Sequence, residues 1–348
     1  MGIFRFILAF NVILYHLLEV PNIGALAVYS FFILSGFLMT YIMHHTYSYD
    51  PKGCLKYALN RFWRLYPVYW ILFFISLLLF FFLGISPSLI HPYMSFPASL
   101  EAWLANLSIF YPSLHPVTYP IRVAPASWAL TIEIVFYIAI GLGISRNLII
   151  TWFWVIISVM YLFYKILVGS TFNIGYGNIF SASLPFSLGA LSYFYQKNIY
   201  QFISGKRFAP HLVVILFSLN IVISANSVML VGQDNAWKVN LLSMYLNLVF
   251  SALLVILLSK IKVTYRRIDK LLGDFSYPMY LFHWSGAYVA YTALGSYCTV
   301  AGFLFAVIFT LVVSWAVNEV VMHKIDKIRE NIKNKQLTVP YSSQGITK

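Results

Sequence analysis

Ten stretches of the chain carry almost no polar side chain for long enough to cross a bilayer as an α-helix, which takes roughly 20 residues. They cover residues 3–19, 24–45, 66–84, 127–145, 148–167, 179–196, 211–228, 239–259, 276–294 and 299–322. Polar positions fall between these runs, so the pattern predicts an all-α polytopic membrane protein with about ten transmembrane helices. The first run has no small-residue cleavage site and leads straight into the second, so it is read as helix one and not as a removable signal peptide. The longest connection, residues 85–126, carries Pro87, Pro92, Pro97, Pro112, Pro116, Pro120 and Pro125 with aromatic residues between them. That composition suits a compact lid better than a linker. Within it, the amphipathic stretch 100–110 is expected to lie in the membrane interface. The last residues, 331–348, turn polar and read as a cytoplasmic tail behind a membrane domain of residues 1–330.

Composition agrees with the pattern. Of the 348 residues, 61% are hydrophobic and only 9% charged, far from any soluble class. The net charge of +13 does not point to nucleic acid, because no solvated domain exists on which Lys and Arg could form a binding face. It reads as orientation. With the N-terminus inside, every one of the 23 Lys and Arg falls on a cytoplasmic segment except Arg122, Lys165 and Lys238, which predicts that both termini are cytoplasmic. Cys54 and Cys298 then lie on opposite sides, with neither a disulfide framework nor metal-ligand spacing, and no metal site is expected.

Ionisable residues at membrane depth are the candidates for chemistry. Arg5 and His16 lie on helix one; eleven positions bring His16 to within roughly 20° of Arg5's face, about 16 Å further along. Glu133, counted inward from Ser127, is expected at a depth comparable with His16 if the two helix ends are level, where a carboxylate would orient the imidazole as a base. Arg61 and Arg64 stand three apart, ahead of Tyr66 and Pro67, and present two guanidinium forks on one helical face. Such forks match phosphate oxygens, although positive-inside anchoring against anionic lipid accounts for them as well. Ser35, in Phe31-Phe32-Ile33-Leu34-Ser35-Gly36, either permits close helix approach or donates a hydrogen bond. His283 is either a buried histidine bonded to a neighbouring helix or a donor-contacting residue. The remaining histidines, at 44, 45, 91, 115, 211 and 323, are expected to be structural.

Together these residues resemble the membrane-bound acyltransferase-3 family, whose members move acyl groups, usually acetyl, onto sugars of bacterial surface glycans. Arg5 and His16 are similar to its Arg-x10-His motif, and residues 31–36 to its second-helix signature. Arg61-Phe62-Trp63-Arg64 with Tyr66-Pro67 resembles its Arg-x-x-Arg motif. Ser127 to Glu133 resembles a Trp-Ser-Leu-x-x-Glu segment, with Ala129 where serine is commoner, and Ser276 to Trp284 resembles a late Ser-Tyr-x-x-Tyr-Leu-x-His block.

The resemblance implies an O-acyltransferase of the bacterial cytoplasmic (inner) membrane. Its expected donor is cytosolic acetyl-CoA or another acyl-CoA, with no permanently bound cofactor. The expected acceptor is a glycan or lipid-linked glycan such as O-antigen, lipopolysaccharide or exopolysaccharide, reached among membrane lipids. Arg5, Arg61, Arg64 and His283 would bind the donor, while His16 and Glu133 would carry catalysis by direct proton abstraction or through an acyl-histidine. Ser35, Trp128 and Tyr66 would support them, with Ser35 and Trp128 as donors to the thioester oxygen. The rival reading is a transporter or flippase of a lipid-linked sugar, in which the same ionisable groups would line a path; it calls for internal repeat symmetry, which the sequence lacks.

Overall fold

The computed structural model describes residues 1–168, 176–205, 208–261 and 265–334, and among them every regular element is helical. In chain order these are α1 (Gly2–Leu17), α2 (Ile23–Ile42), α3 (Pro51–Leu83), α4 (Leu100–Ser108), α5 (Trp128–Gly141), α6 (Leu148–Leu167), α7 (Ile179–Ser204), α8 (Ala209–Ala225), α9 (Ser227–Val231), α10 (Ala236–Lys260), α11 (Arg266–Leu294), α12 (Val300–Val317) and α13 (His323–Asn334). Local chemistry sets several ends. The Asp50 carboxylate accepts from the Gly53 N–H at 2.9 Å with Pro51 in the first turn of α3, and Gly84, at φ 67°, closes the other end. Asn147, Asn178 and Thr299 cap α6, α7 and α12 in the same way.

Each of the ten apolar runs coincides with a helix. Five spans are by themselves long and apolar enough to cross a membrane: Ile23–Tyr47, Pro51–Leu83, Leu148–Leu167, Ala236–Lys260 and Val300–Asn334. A sixth results if α7 and α8 are counted as one broken span. The protein is therefore an all-helical, multi-pass membrane protein. The runs that fall short alone include α1 and α5, apolar helices of 16 and 14 residues; both end at the polar cavities described below. Residues 331–334 of the expected tail continue α13. The rest of that tail, with Lys335 and Lys348, lies outside the described residues, as do Lys206, Arg207 and Lys262.

The most enclosed span is the one containing α2, and it packs along α7 at backbone distance. A Cβ on Gly36 would stand 2.1 Å from the Phe186 carbonyl oxygen, and one on Gly189 would stand 2.1 Å from the Ile33 oxygen. Close approach is thus the role of Gly36, as the small-residue reading expected. On its other side α2 meets α1, which lies along α11. Hydroxyl pairs tie further helices, such as Ser76 to Ser285 between α3 and α11 at 2.7 Å. By contrast α6 exposes Phe153, Ile157 and Met160, the apolar surface expected of a lipid-facing helix.

The segment 85–126 is folded, and its helix α4 packs against α3. Trp70 Nε1 donates to the Leu107 carbonyl at 2.9 Å and Tyr66 Oη to the Ser108 carbonyl at 2.7 Å, supplying partners to the orphan carbonyls at the end of α4. These two residues sit about 20 and 26 Å back along α3 from its Leu83 end. The segment therefore runs back down the side of α3. The fully buried Asn106 fastens it, donating to the carbonyls of Ala102 and Ile121 and accepting from the Val123 N–H.

Candidate active site

Arg5, His16, Arg61, Arg64 and Glu133 are divided between two cavities. The first is lined by Arg5 of α1, Ser35 of α2, Arg61 and Arg64 of α3, Glu133 and Tyr137 of α5, and Ser276, Tyr277 and Tyr280 of α11. Its charges are only partly paired. Arg64 stands 4.0 Å from Asp274 of α11, and Arg61 donates through Nη2 to Asn60 Oδ1 at 2.6 Å while its buried Nε has no partner. Glu133 accepts from Ser35 Oγ at 2.7 Å. Three guanidinium groups converging beside a single wall carboxylate make a cavity suited to an anion of several charges.

The second cavity is lined by Tyr15, His16 and Glu19, by His91, Tyr93 and Arg122 of the folded connection, and by Trp128, Tyr176 and Trp284. Here His16 Nδ1 lies 2.8 Å from His283 Nε2, with the two rings 7° from parallel. The other nitrogen of His283, Nδ1, is 2.8 Å from the Tyr280 carbonyl oxygen, which can only accept. That contact fixes the proton of His283 on Nδ1, so in the neutral pair its Nε2 must accept. His16 then carries its proton on Nδ1, and its Nε2 keeps a bare lone pair. A fully buried histidine thus holds a second one in the tautomer a general base requires, the role a carboxylate plays in hydrolytic triads.

Two further residues of this cavity belong to the connection. His91 accepts from the Tyr93 N–H through Nδ1, which leaves its proton on Nε2. Burial, with the Arg122 charge adding to it, pushes its pKa down to about 4. Arg122 lies over the Tyr93 ring, 4.9 Å from the centroid, and donates through Nη1 to the carbonyls of Pro116, Val117 and Tyr119. Burial pulls its pKa down to about 10, so it remains a cation at neutral pH.

Several expectations meet this geometry well. Arg5, Arg61 and Arg64 come together, and Arg5 and His16 lie on one continuous helix, each facing a cavity. Others need correction. Glu133 does not meet His16. His16 occupies the last turn of α1, whereas Trp128, which shares its cavity, begins α5, so Glu133 lies about 7.5 Å deeper along that helix. The ends are not level, and the carboxylate joins the arginines. His283 stands apart from them: Ser276, Tyr277 and Tyr280 reach the arginine cavity, and His283, about 10 Å beyond Ser276 along α11, reaches His16 instead. Ser35 gives its hydroxyl proton to Glu133, away from the cavity of His16. Tyr66 caps α4, and Trp128 lines the histidine cavity as expected of a residue near His16. The sequence reading did not single out Tyr137, Asp274 or Tyr280, and it expected His91 to be structural, whereas His91 lines the cavity of His16. For Arg122 a signal existed, since it was one of only three basic residues against the charge bias.

Compared with known proteins, residues 1–319 match a family model described as an acyltransferase domain. No curated protein and no solved structure matches the chain.

Proposed function

The chain belongs to the acyltransferase-3 family, and from that membership we propose that it transfers an acyl group, acetyl in the simplest case, from acyl-CoA to a hydroxyl of a cell-surface or lipid-linked glycan. The observation that carries the reading is α1 itself. One unbroken helix presents Arg5 to a cavity with two further arginines and, about 16 Å on, presents an oriented histidine to another cavity. With ten crossings of a bacterial cytoplasmic membrane and both termini inside, the arginine cavity opens toward the cytosol. Arg5, Arg61 and Arg64 would then hold the CoA phosphates, with Glu133 and Asp274 setting the arginines in place. A pantetheine arm of roughly 15–20 Å is comparable with the rise from Arg5 to His16.

At the histidine cavity, His16 Nε2 takes the proton of the acceptor hydroxyl as its oxygen attacks the thioester carbonyl. The C–S bond breaks, and the thiolate leaves with the proton that His16 returns. His283 holds the His16 ring through this exchange, and proton transfer by a base so positioned is worth about 10²- to 10⁴-fold. Trp128, in the same cavity, would donate its indole N–H to the thioester oxygen. No observation favours the transporter reading.

The test is transfer of radiolabelled acetyl from acetyl-CoA to surface polysaccharide in membranes carrying the native chain, beside His16→Ala at equal protein level. Label that disappears in the variant is the expected result. Label unchanged in the variant removes His16 from the chemistry, and no label in either, with other acyl-CoA donors also silent, defeats the proposal.

A further inference from the structure

Arg122 is only 1% exposed, although its cavity is large. Its guanidinium has five N–H donors, and Nη1 alone serves three carbonyls of the connection. The Nε donor is buried and has no partner. No carboxylate lies within ion-pair distance of it among the described residues. The one acid lining this cavity, Glu19, is exposed and makes no ion pair there. A buried cation without a counter-charge is costly, and tying loop carbonyls together needs N–H donors, not charge. The arrangement is that of a half-built ion pair facing the cavity that also holds the bare Nε2 of His16.

We propose that this cavity selects acceptors bearing an oxyanion, a sugar carboxylate or a phosphate, and that Arg122 grips that group while the hydroxyl to be acylated lies at His16. The planar fork matches either oxyanion, and stacking on Tyr93 holds the fork in place. The inference rests on the acyl-transfer reading for the role of His16, but the anion site can be measured without any transfer.

The experiment is equilibrium binding of radiolabelled glucuronate, glucose 1-phosphate and glucose to the purified full chain. CoA is present at saturation, so that the arginine cavity is occupied and does not take the phosphate. At least one anionic sugar should bind tenfold or more tightly than glucose, and which one does so separates a sugar acid from a phosphate as the source. Arg122→Gln should bring that preference to within about twofold of none, with affinity for CoA unchanged as the check on folding. If Arg122→Gln loses CoA binding and is misfolded, Arg122→Lys, which keeps a charge and donors for the carbonyls but not the fork, decides: a preference reduced threefold or more supports the proposal. Equal binding of all three sugars by the native chain overturns it, as does a preference undiminished in a folded Arg122 variant. An anion preference in a chain that transfers no acetyl leaves the site standing and removes only the catalytic reading. Equal acetylation of neutral and anionic acceptors, with no difference in binding, does the reverse.

Discussion

Replacing His283 separates the two roles a histidine at this position can play. In His283→Leu the side-chain volume is nearly kept, but His16 Nδ1–H loses the acceptor now 2.8 Å away. Two outcomes are open to the imidazole. It keeps its tautomer with a buried donor unpaired, which costs about 1–3 kcal/mol, or it moves the proton to Nε2 and ceases to be a base. Either way the catalytically competent form is depleted by that free energy, equivalent to about a 5- to 150-fold fall in rate at about 1.4 kcal/mol per factor of ten. His283→Gln, whose amide oxygen reaches near the position of Nε2, should retain more activity than the leucine variant. The assay is the initial rate of acetyl transfer at saturating acetyl-CoA, normalised to folded protein, together with the affinity for CoA. The expected signature is a lower kcat with unchanged CoA affinity. A kcat within twofold of the native chain in folded His283→Leu would refute the relay, and weakened CoA binding at unchanged kcat would return His283 to the donor site.

Other perturbations test other parts of the arrangement. Arg61→Ala removes a guanidinium of the first cavity, and it should raise the KM for acyl-CoA tenfold or more with a smaller effect on kcat; an unchanged KM would take Arg61 out of donor binding. Gly36→Leu drives a side chain toward the Phe186 carbonyl, 2.1 Å from the new Cβ, so α2 and α7 must part; a loss of about 1–3 kcal/mol, read as a lower melting temperature in detergent, is expected, and native-like melting would contradict the packing. His91 has a folded pKa depressed to about 4 from 6.5, so the fold favours its neutral ring. That contribution is complete above about pH 6.5 and is lost as pH falls toward 4. Melting temperature measured from pH 4 to 7 should therefore fall less steeply in His91→Gln than in the native chain, and identical slopes would sink the assignment.

What could be read from the sequence lies along single helices. The 3.6-residue period alone put Arg5 and His16 on one stripe of α1 about 16 Å apart, and in the structure those two side chains line the two cavities. The three-residue spacing of Arg61 and Arg64 likewise gave two forks on one wall. Across helices the reading failed where it needed relative height. Nothing in the pattern of residues 1–20 or 127–145 states that His16 ends its helix while Glu133 sits a turn and a half inside its own, and an error of about 7.5 Å was enough to exchange the partners of both. The late block failed for a related reason. His283 was expected at the donor site, yet the block from Ser276 to Trp284 rises about 12 Å, enough to supply tyrosines to one cavity and His283 to the other.

The same offset bears on the pairing of two histidines. On the proposed function, a carboxylate bonded to His16 would sit beside the acceptor, where it would repel the anion proposed for Arg122. Glu133 is instead kept beside the arginines, with Ser35 bonded to it; Glu19 lines the histidine cavity but is exposed, and a neutral imidazole orients His16 without adding further negative charge. One contact between the two chambers runs through Tyr280, which lines the arginine cavity and donates its hydroxyl, at 3.0 Å, to the carbonyl of Ala126, which lines the other. The same tyrosine's own carbonyl accepts from His283 Nδ1. Tyr280 therefore touches the partition through its side chain and the base-orienting relay through its backbone, and any movement that opens the partition to an acyl chain also acts on the residue that sets the tautomer of His16.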